Sequence, residues 1–392
     1  MHEGVRVPPV RVRCALAVLL AITAGAGSSL LGICGPFTDV AADAFCPFVL
    51  EIFYLGITTG TTATTYDPAS PVSRLQMAAF LSRTVDSALL RGGRRAALGQ
   101  YWNTQTASAL GMTTVGDNPE GFAWDGKDLW VPLFGGNVVR VRASDGKVLE
   151  NWTGGAFNVG VLAAIGRIFV TGQSSPGRLY RIDPSQSAGT VQTVASNLPN
   201  NPGQMTFDGA RIWTANWSGS VSIITPGSIP WTVTTVTTGA FGNFGVAFDG
   251  ANIWVSDHSP GNGIGFARKV NAAGATLLTV TVGQNPDYLL FDGSNIWVPN
   301  SFDAAVSVIR ASNGALLATL TGNGMVDPSI AAFDGKRVLI TSPNGQNLSL
   351  FKAADLTPIG FVPVPPGNPL AAGCDTVNFW VAMETGNTIA RF

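Results

Sequence analysis

Short apolar stretches alternate with polar turn residues over most of the chain, and the pattern returns at a nearly constant interval. The clearest copies are "AFDGANIWVSD" at 247–257 and "LFDGSNIWVPN" at 290–300. Seven copies align, with turn positions 40 to 43 residues apart at Gly126, Gly166, Gly209, Gly250, Gly293, Gly335 and Thr376. This interval indicates that one small unit of supersecondary structure is repeated seven times.

Each repeat unit predicts four strands. In the fifth copy, "YLLFD", "IWVPN", "AVSVIR" and "ALLATLT" read as strands, and Asp-Gly and Asn-Gly pairs mark the turns. An aromatic residue recurs on the second strand, where we expect it to pack against the neighbouring unit: Trp130, Phe169, Trp213, Trp254, Trp297 and Trp380. Units of this kind predict a mainly β fold with a seven-bladed β-propeller over residues 101–392.

The last repeat ends in "NTIARF" at Phe392 and supplies only three strands. The segment between Gln100 and Thr113 is placed to supply the fourth. Pairing the two ends of the propeller in one blade would remove its open edges. We therefore predict a ring that is closed by its own N-terminal strand.

Residues 1–26 have the features of a signal peptide. Arg6, Arg11 and Arg13 precede an apolar run, and Ala24-Gly25-Ala26 offers the small residues of a cleavage site. We expect an exported chain without a membrane segment after cleavage. Lipidation at Cys34, in "LLGIC", is the alternative to cleavage after Ala26.

Charge and histidine content exclude several classes of function. The chain has 23 basic and 24 acidic residues, so nucleic acid is not an expected partner. Beyond the leader, His258 is the only histidine, which excludes a His-rich metal site. Cys34 and Cys46 lie twelve residues apart in an exported segment, and we expect a disulfide between them.

Residues 35–88 read as a small helical module, and 89–100 as an exposed linker. Phe48, Ile52 and Leu55 have helical spacing, Gly56 ends that helix, and a second amphipathic stretch contains Met77. The residues themselves indicate only helix, loop and helix.

This module resembles a single S-layer homology (SLH) module. The matching residues are Phe37, Asp39 and Val40; Gly56, Ile57, Thr58 and Gly60; Tyr66 and Pro68; and Val72, Ser73, Arg74, Met77, Ala78, Phe80 and Leu81. The resemblance implies association with cell-wall polysaccharide or peptidoglycan. Arg74 would pair with an acidic sugar; the alternative is that it pairs within the fold. The family usually carries three copies, and this chain has one.

The motifs "IWTAN" and "IWVPN" recur in the propeller repeats, and "VGQNP" or "VGDNP" occurs at the start of a repeat. With these motifs the repeats resemble YVTN-type surface propellers and, more distantly, the NHL-like and virginiamycin-lyase-like groups. Binding residues of propellers usually stand on the loops of one face. Acidic residues that break the repeat, together with the lone histidine, make a candidate ligand or cation face: Glu120, Asp257, His258, Asp287, Asp303, Asp327 and Glu384. A calcium or magnesium ion is one interpretation of this set. The repeated Asn residues beside them are explained by turn chemistry.

We expect an exported cell-surface protein, more an attachment and binding protein than an enzyme. The SLH-like module would associate with the wall, and the propeller would act as a binding or scaffold module, with other surface proteins as further partners. The alternative is a cation-dependent propeller hydrolase or lyase, lactonase-like or virginiamycin-lyase-like. No nucleophile motif, phosphate loop or paired-cysteine metal site appears, and no catalytic residue is assigned.

Overall fold

The computed structural model describes residues 36–40, 46–54, 57–81, 84, 111–239, 241–258, 263–364 and 367–392. The chain divides into two units, Met1–Arg95 and Ala96–Phe392. No helix in the described ranges is long and apolar enough to cross a membrane. The predicted signal peptide and linker lie outside the described residues, and the predicted domain boundaries stay predictions.

The first unit contains helix α1 (Cys46–Tyr54) and a second helical segment at 74–81. Its small core is built around Phe37, whose ring meets that of Phe53 at 5.1 Å in an edge-on arrangement. Val49 is buried in this core, whereas Phe48 points to solvent, so the apolar side of α1 is one residue away from the predicted one. Cys46 is disulfide-bonded. Cys34 lies outside the described residues, and their pairing stays a prediction.

Two polar contacts fix the loops of this unit. The Asp39 carboxylate accepts the backbone N–H groups of Tyr66 at 2.9 Å and Asp67 at 2.7 Å. Ser73 and Gln76 form a reciprocal cap: the Gln76 N–H donates to the Ser73 hydroxyl, and the Ser73 N–H donates to the Gln76 side chain. The second helical segment therefore begins directly after Ser73.

The second unit is a seven-bladed β-propeller, as predicted. Seven four-stranded antiparallel sheets contain all 28 of its described strands. Blade 1 consists of β2 (Ala123–Trp124), β3 (Asp128–Pro132), β4 (Val138–Arg142) and β5 (Val148–Trp152). Blade 2 consists of β6 (Asn158–Ala164), β7 (Arg167–Gly172), β8 (Gly177–Ile182) and β9 (Gln192–Leu198). Blade 3 consists of β10 (Pro202–Phe207), β11 (Ile212–Asn216), β12 (Ser220–Thr225) and β13 (Thr232–Thr237).

Blades 4 to 6 continue in the same order, from the inner strand to the outer strand. Blade 4 consists of β14 (Val246–Phe248), β15 (Ile253–Asp257), β16 (Gly265–Val270) and β17 (Thr276–Val282). Blade 5 consists of β18 (Leu290–Phe291), β19 (Asn295–Asn300), β20 (Ala305–Arg310) and β21 (Leu316–Thr321). Blade 6 consists of β22 (Ala331–Phe333), β23 (Arg337–Ser342), β24 (Asn347–Lys352) and β25 (Pro358–Pro363). A short 3-10 turn, Ser301–Asp303, follows β19.

The seventh blade joins the two ends of the ring. Its strands are β26 (Pro369–Cys374), β27 (Phe379–Met383), β28 (Thr388–Arg391) and, outermost, β1 (Met112–Thr114). β1 runs antiparallel to β28, with Met112 opposite Ala390. The prediction that an N-terminal strand closes the ring is confirmed. The paired residues, Met112–Thr114, lie at the C-terminal end of the predicted segment and one residue beyond it.

The six recurring aromatic residues are fully buried and pack against the next blade, as predicted. Trp130 of blade 1 lies in one cluster with Ile168 and Tyr180 of blade 2. Trp380 of blade 7 lies with Leu129 of blade 1, so the same packing continues across the closure. Each blade buries its apolar face only because a neighbour covers it.

The turn between the first and second strands is tied to the buried tryptophan in five blades. In each, the indole N–H donates to an aspartate carboxylate at 2.7 to 2.9 Å. The other oxygen of that carboxylate accepts backbone N–H groups of the turn. The pairs are Asp125 and Trp130, Asp208 and Trp213, Asp249 and Trp254, Asp292 and Trp297, and Asp375 and Trp380.

Blades 2 and 6 lack the tryptophan, and the carboxylate changes with it. Blade 2 has Phe169, which carries no N–H, and its turn has Ile165 where the others have aspartate. Blade 6 has Leu339, and there Asp334 accepts from the Arg337 guanidinium at 2.7 Å. A carboxylate is therefore present where a buried or half-buried donor needs it.

We predict that Trp130→Phe lowers the free energy of unfolding by about 1–3 kcal/mol, because it removes the indole donor from the Asp125 carboxylate in a half-buried site. Chemical denaturation monitored by circular dichroism measures the loss. Trp217→Phe is the matched control, since the Trp217 indole N–H donates no hydrogen bond within the described part of the chain. An equal loss in both variants would contradict a specific role of the indole hydrogen bond.

Candidate functional site

One backbone hydrogen bond repeats around the loop face of the propeller. In six blades, the N–H of a residue after the second strand donates to a carbonyl in the loop that enters the blade, at 2.8 to 3.2 Å. We call the donor residues the rim positions. They are Phe134, Gln173, Trp217, His258, Ser301 and Glu384, and their acceptors are Asn118, Phe157, Asn201, Gly242, Asn285 and Asn368.

The repeated Asn residues have a backbone role at these positions. Asn118, Asn201, Asn285 and Asn368 have φ between 49° and 61°, in the left-handed region. Asn adopts this region more readily than most residues, and its carbonyl there is turned toward the rim position. This geometry accounts for the repeated Asn without a ligand.

The rim positions carry different side chains on the same backbone. Blades 1, 3 and 4 present aromatic rings, blades 2 and 5 present polar groups, and blade 7 presents a carboxylate. A rigid scaffold with variable loop side chains is the usual arrangement of a binding surface. The loop face therefore has two chemically distinct areas.

The first area is an aromatic cluster between blades 3 and 4, which we call the blade 3–4 cluster. The Trp217 ring meets Phe244 edge-on at 4.0 Å and stacks with His258 at 5.7 Å. Trp217 is 41% exposed and Phe241, in the same loop as Phe244, is 62% exposed. Sequence analysis missed Phe241 and Phe244, although they lie where other copies carry the Asn-Pro turn.

Asp257, predicted as an exposed group of the ligand or cation face, is buried at 2% exposure. Arg268 donates to its Oδ2 atom at 2.6 Å, and the Phe241 N–H donates to its Oδ1 atom at 3.2 Å. The carboxylate is thus neutralised by the next strand and holds the backbone of Phe241. Strand pairing explains this, because Asp257 and Arg268 lie on adjacent strands of blade 4.

The second area is a group of carboxylates on the loops that enter the inner strands or follow a second strand. We call them the mouth carboxylates: Glu120, Glu384, Asp287 and Asp327. Burial raises the pKa of Glu120 to about 7, and the charge of Glu384 adds to this. Asn368 donates to Glu384 at 2.6 Å. These two glutamates lie near opposite ends of the propeller sequence, and the closure of the ring brings them together.

Asp287 and Asp327 form the other part of the mouth. Burial raises the pKa of Asp287 to about 6, the Ser329 hydroxyl that donates to it at 2.7 Å partly opposes this, and the Asp327 charge raises it further. Asp327 also accepts the Asn344 backbone N–H at 3.0 Å. Burial, followed by the charges of Asp287 and Glu120, raises the pKa of Tyr288. Sequence analysis missed Tyr288.

The predicted set is not brought together as one cation site. Asp303 lies on the blade 5 turn, where its carboxylate accepts the Gln284 N–H at 2.7 Å. His258 belongs to the blade 3–4 cluster, and Asp257 is paired with Arg268. Within the described ranges, no group of three or more His, Cys, Asp or Glu side chains is arranged to hold a metal ion.

Comparison with known families identifies the first unit. Residues 36–78 match the family model described as the S-layer homology domain. The chain therefore contains an SLH domain followed by a seven-bladed β-propeller. An SLH domain indicates a protein associated with the cell surface or envelope. No curated protein matches the sequence.

Three solved structures show the fold of the second unit. Hydrazine synthase of Kuenenia stuttgartiensis is 15% identical, with a TM-score of 0.61 over 71% of this chain and 96% of that one. The WD40 propeller of Doa1 is 11% identical, with a TM-score of 0.59 over 72% and 94%. The Cps50 (Swd1) propeller of Myceliophteria thermophila is 10% identical, with a TM-score of 0.60 over 72% of this chain and 99% of that one. At these identities the likeness concerns the propeller fold alone.

We predict that the unfolding free energy falls between pH 5 and pH 8 and that Glu120→Gln reduces this fall. The folded pKa of Glu120 is raised above its usual 4.5, so the stability linked to its protonated form is complete below pH 4.5 and is lost as the pH rises through about 7. The difference in slope corresponds to roughly 1–3 kcal/mol over this range. Denaturant titrations at several pH values measure it. Asp303→Asn is the control, and an unchanged slope in Glu120→Gln would contradict the assignment.

Proposed function

We propose that this is an exported cell-surface protein whose SLH domain associates with cell-wall polysaccharide or peptidoglycan and whose propeller acts as a binding or scaffold module. The observation that supports the binding role is the rim: six equivalent backbone positions carry different side chains. The backbone hydrogen bond that fixes each rim position places no demand on its side chain, so the scaffold itself does not select these residues. Variation on a fixed backbone is better explained by contact with something outside the propeller.

The SLH domain offers one exposed cation in a favourable position. Ser73 caps the second helical segment, so Arg74 lies in its first turn, and its side chain is exposed. A helix N-terminus attracts anions through its free N–H groups, and a guanidinium binds carboxylates with two parallel hydrogen bonds. Both features favour an acidic group of the wall polymer at Arg74.

We predict that Arg74→Ala reduces pelleting of the full chain with purified cell walls several-fold, while the melting temperature stays unchanged because the side chain is exposed. Sedimentation at several salt concentrations measures the effect, and added salt should weaken the wild type in the same direction. Arg142→Ala, an exposed arginine of the propeller, is the matched control. Equal pelleting of Arg74→Ala and the wild type would remove Arg74 from wall binding.

A second candidate function, a hydrolase or lyase, is favoured by one observation. Glu120 and Asp287, two of the mouth carboxylates, both have a raised pKa, and carboxyl groups of this kind serve as general acids and bases. They are better placed for chemistry than Asp257, which is engaged by Arg268.

We predict for this alternative that Glu120→Gln and Asp287→Asn each lower any turnover found in a panel of lactones and polysaccharides by at least about 100-fold. Asp303→Asn, on the blade 5 turn, should keep it. A panel without turnover by the wild type would leave the binding role as the function of the propeller. Turnover that survives both substitutions would exclude the mouth carboxylates as its acid and base.

A further inference from the structure

We propose that the blade 3–4 cluster is a carbohydrate subsite that takes an uncharged pyranose ring of a cell-wall glycan. The inference rests on the proposed binding role of the propeller and names the ligand class for one part of its rim. Four features of the described residues support it: exposure, rigidity, local charge and an unsatisfied polar atom.

Exposure sets Trp217 apart from the tryptophans of the blade cores. Trp130, Trp213, Trp254, Trp297 and Trp380 are fully buried, whereas Trp217 remains 41% exposed at a rim position. Phe241 beside it is 62% exposed. A flat ring open to solvent matches the C–H face of a pyranose, which has polar hydroxyls at its edge and apolar hydrogens on its face. The indole N–H adds a donor at the edge of the ring.

The cluster is held in place before any ligand arrives. Phe244 meets Trp217 edge-on, and Gly242 lies so close beneath that a Cβ atom there would be 3.2 Å from the Trp217 carbonyl oxygen. Below, the buried Asn216 side chain donates to two serine hydroxyls, and the buried Asn243 side chain donates to the Ser220 carbonyl. A preformed aromatic surface loses little conformational freedom on binding.

Charge argues for an uncharged sugar. The only carboxylate that contacts the cluster within the described ranges is Asp257, and Arg268 neutralises it at 2.6 Å. The mouth carboxylates elsewhere on the same face would repel an acidic polymer. The Arg74 side chain therefore favours an acidic component of the wall, and the blade 3–4 cluster favours an uncharged one.

His258 supplies a polar atom to the cluster. Its backbone N–H donates to Gly242, and its ring stacks with Trp217, but its Nδ1 atom is buried without a hydrogen-bond partner in the described part of the chain. A buried polar atom without a partner is unfavourable. A sugar hydroxyl would satisfy it if the His258 ring turns toward the ligand, while Trp217 and Phe244 form the part of the cluster that stays in place.

Titration calorimetry of the full chain with the tetramer of N-acetylglucosamine, an uncharged glycan, tests the proposal. We expect a dissociation constant below about 1 mM for the wild type, consistent with a small open subsite. Trp217→Ala should weaken binding at least tenfold, and Trp217→Phe, which keeps an aromatic ring, should weaken it less. Phe361→Ala, an exposed aromatic residue on the outer strand of blade 6, should bind like the wild type.

Two results would overturn the proposal. One is the absence of tetramer binding by the folded wild type at 5 mM ligand, and the other is binding by both Trp217 variants that equals the wild type. Melting curves of each variant show that the propeller is folded. Wall attachment is read separately by sedimentation: Trp217→Ala should keep the part of its pelleting that Arg74 provides and lose the part that the subsite provides. Loss of tetramer binding with pelleting that is reduced but not abolished therefore supports the subsite. Failure of the wild type to pellet would count against the attachment role alone, because the tetramer is soluble.

Discussion

The hydrogen bond between a buried indole and a turn carboxylate is the constraint on which five of the seven blades depend. In these blades a tryptophan lies at the interface between blades, where its large area covers the face of the next sheet. Its N–H must then find an acceptor, and the aspartate of the preceding turn provides one while its other oxygen closes the turn. One side chain thus fixes both the hairpin and the ring that packs on the neighbour. Cations lie over several of these indoles, as Arg211 does over Trp213 at 5.2 Å.

Because this constraint lies in the turn between the first and second strands, the opposite ends of these strands are free to vary. There the chain needs only a backbone hydrogen bond to close the loop, and that bond places no demand on the side chain of the rim residue. The same geometry can therefore carry Trp217, Ser301 or Glu384. The side chains on the loop face can differ because the strands are already fixed by the repeated contact in the turns at their opposite ends.

The fold could be predicted from the sequence because its determinants are local and repeated. The interval between repeats, the turn residues and the aromatic residue on the second strand predict the number of blades. The last repeat supplies only three strands, and this predicts the closure by an N-terminal strand. In five blades the turn aspartate precedes the tryptophan by a constant five residues, and this spacing is the signal in the sequence that indicates the indole hydrogen bond. The SLH motif also predicted its module, since Asp39 and Ser73 act within short loops.

The candidate site could be predicted less well because it depends on pairing between strands and on ring closure. The sequence shows no ion-pair partner for the Asp257 carboxylate. Only the pairing of the two strands brings Arg268 to it. The pKa of Glu120 depends on Glu384, which is near it only because the last blade contains the first strand. The exposure of Trp217 depends on how two loops meet, which no repeat pattern encodes.

The single SLH domain becomes easier to understand if the propeller also contacts the wall. Two weak contacts on one chain act together, because binding of one raises the effective concentration of the other. An acidic polymer held at Arg74 and an uncharged glycan held at Trp217 would be two components of one surface, so neither contact would need to be strong. On this view the propeller adds to the wall affinity of the SLH domain, and the different charge preferences of the two sites direct the chain to places where both polymers occur.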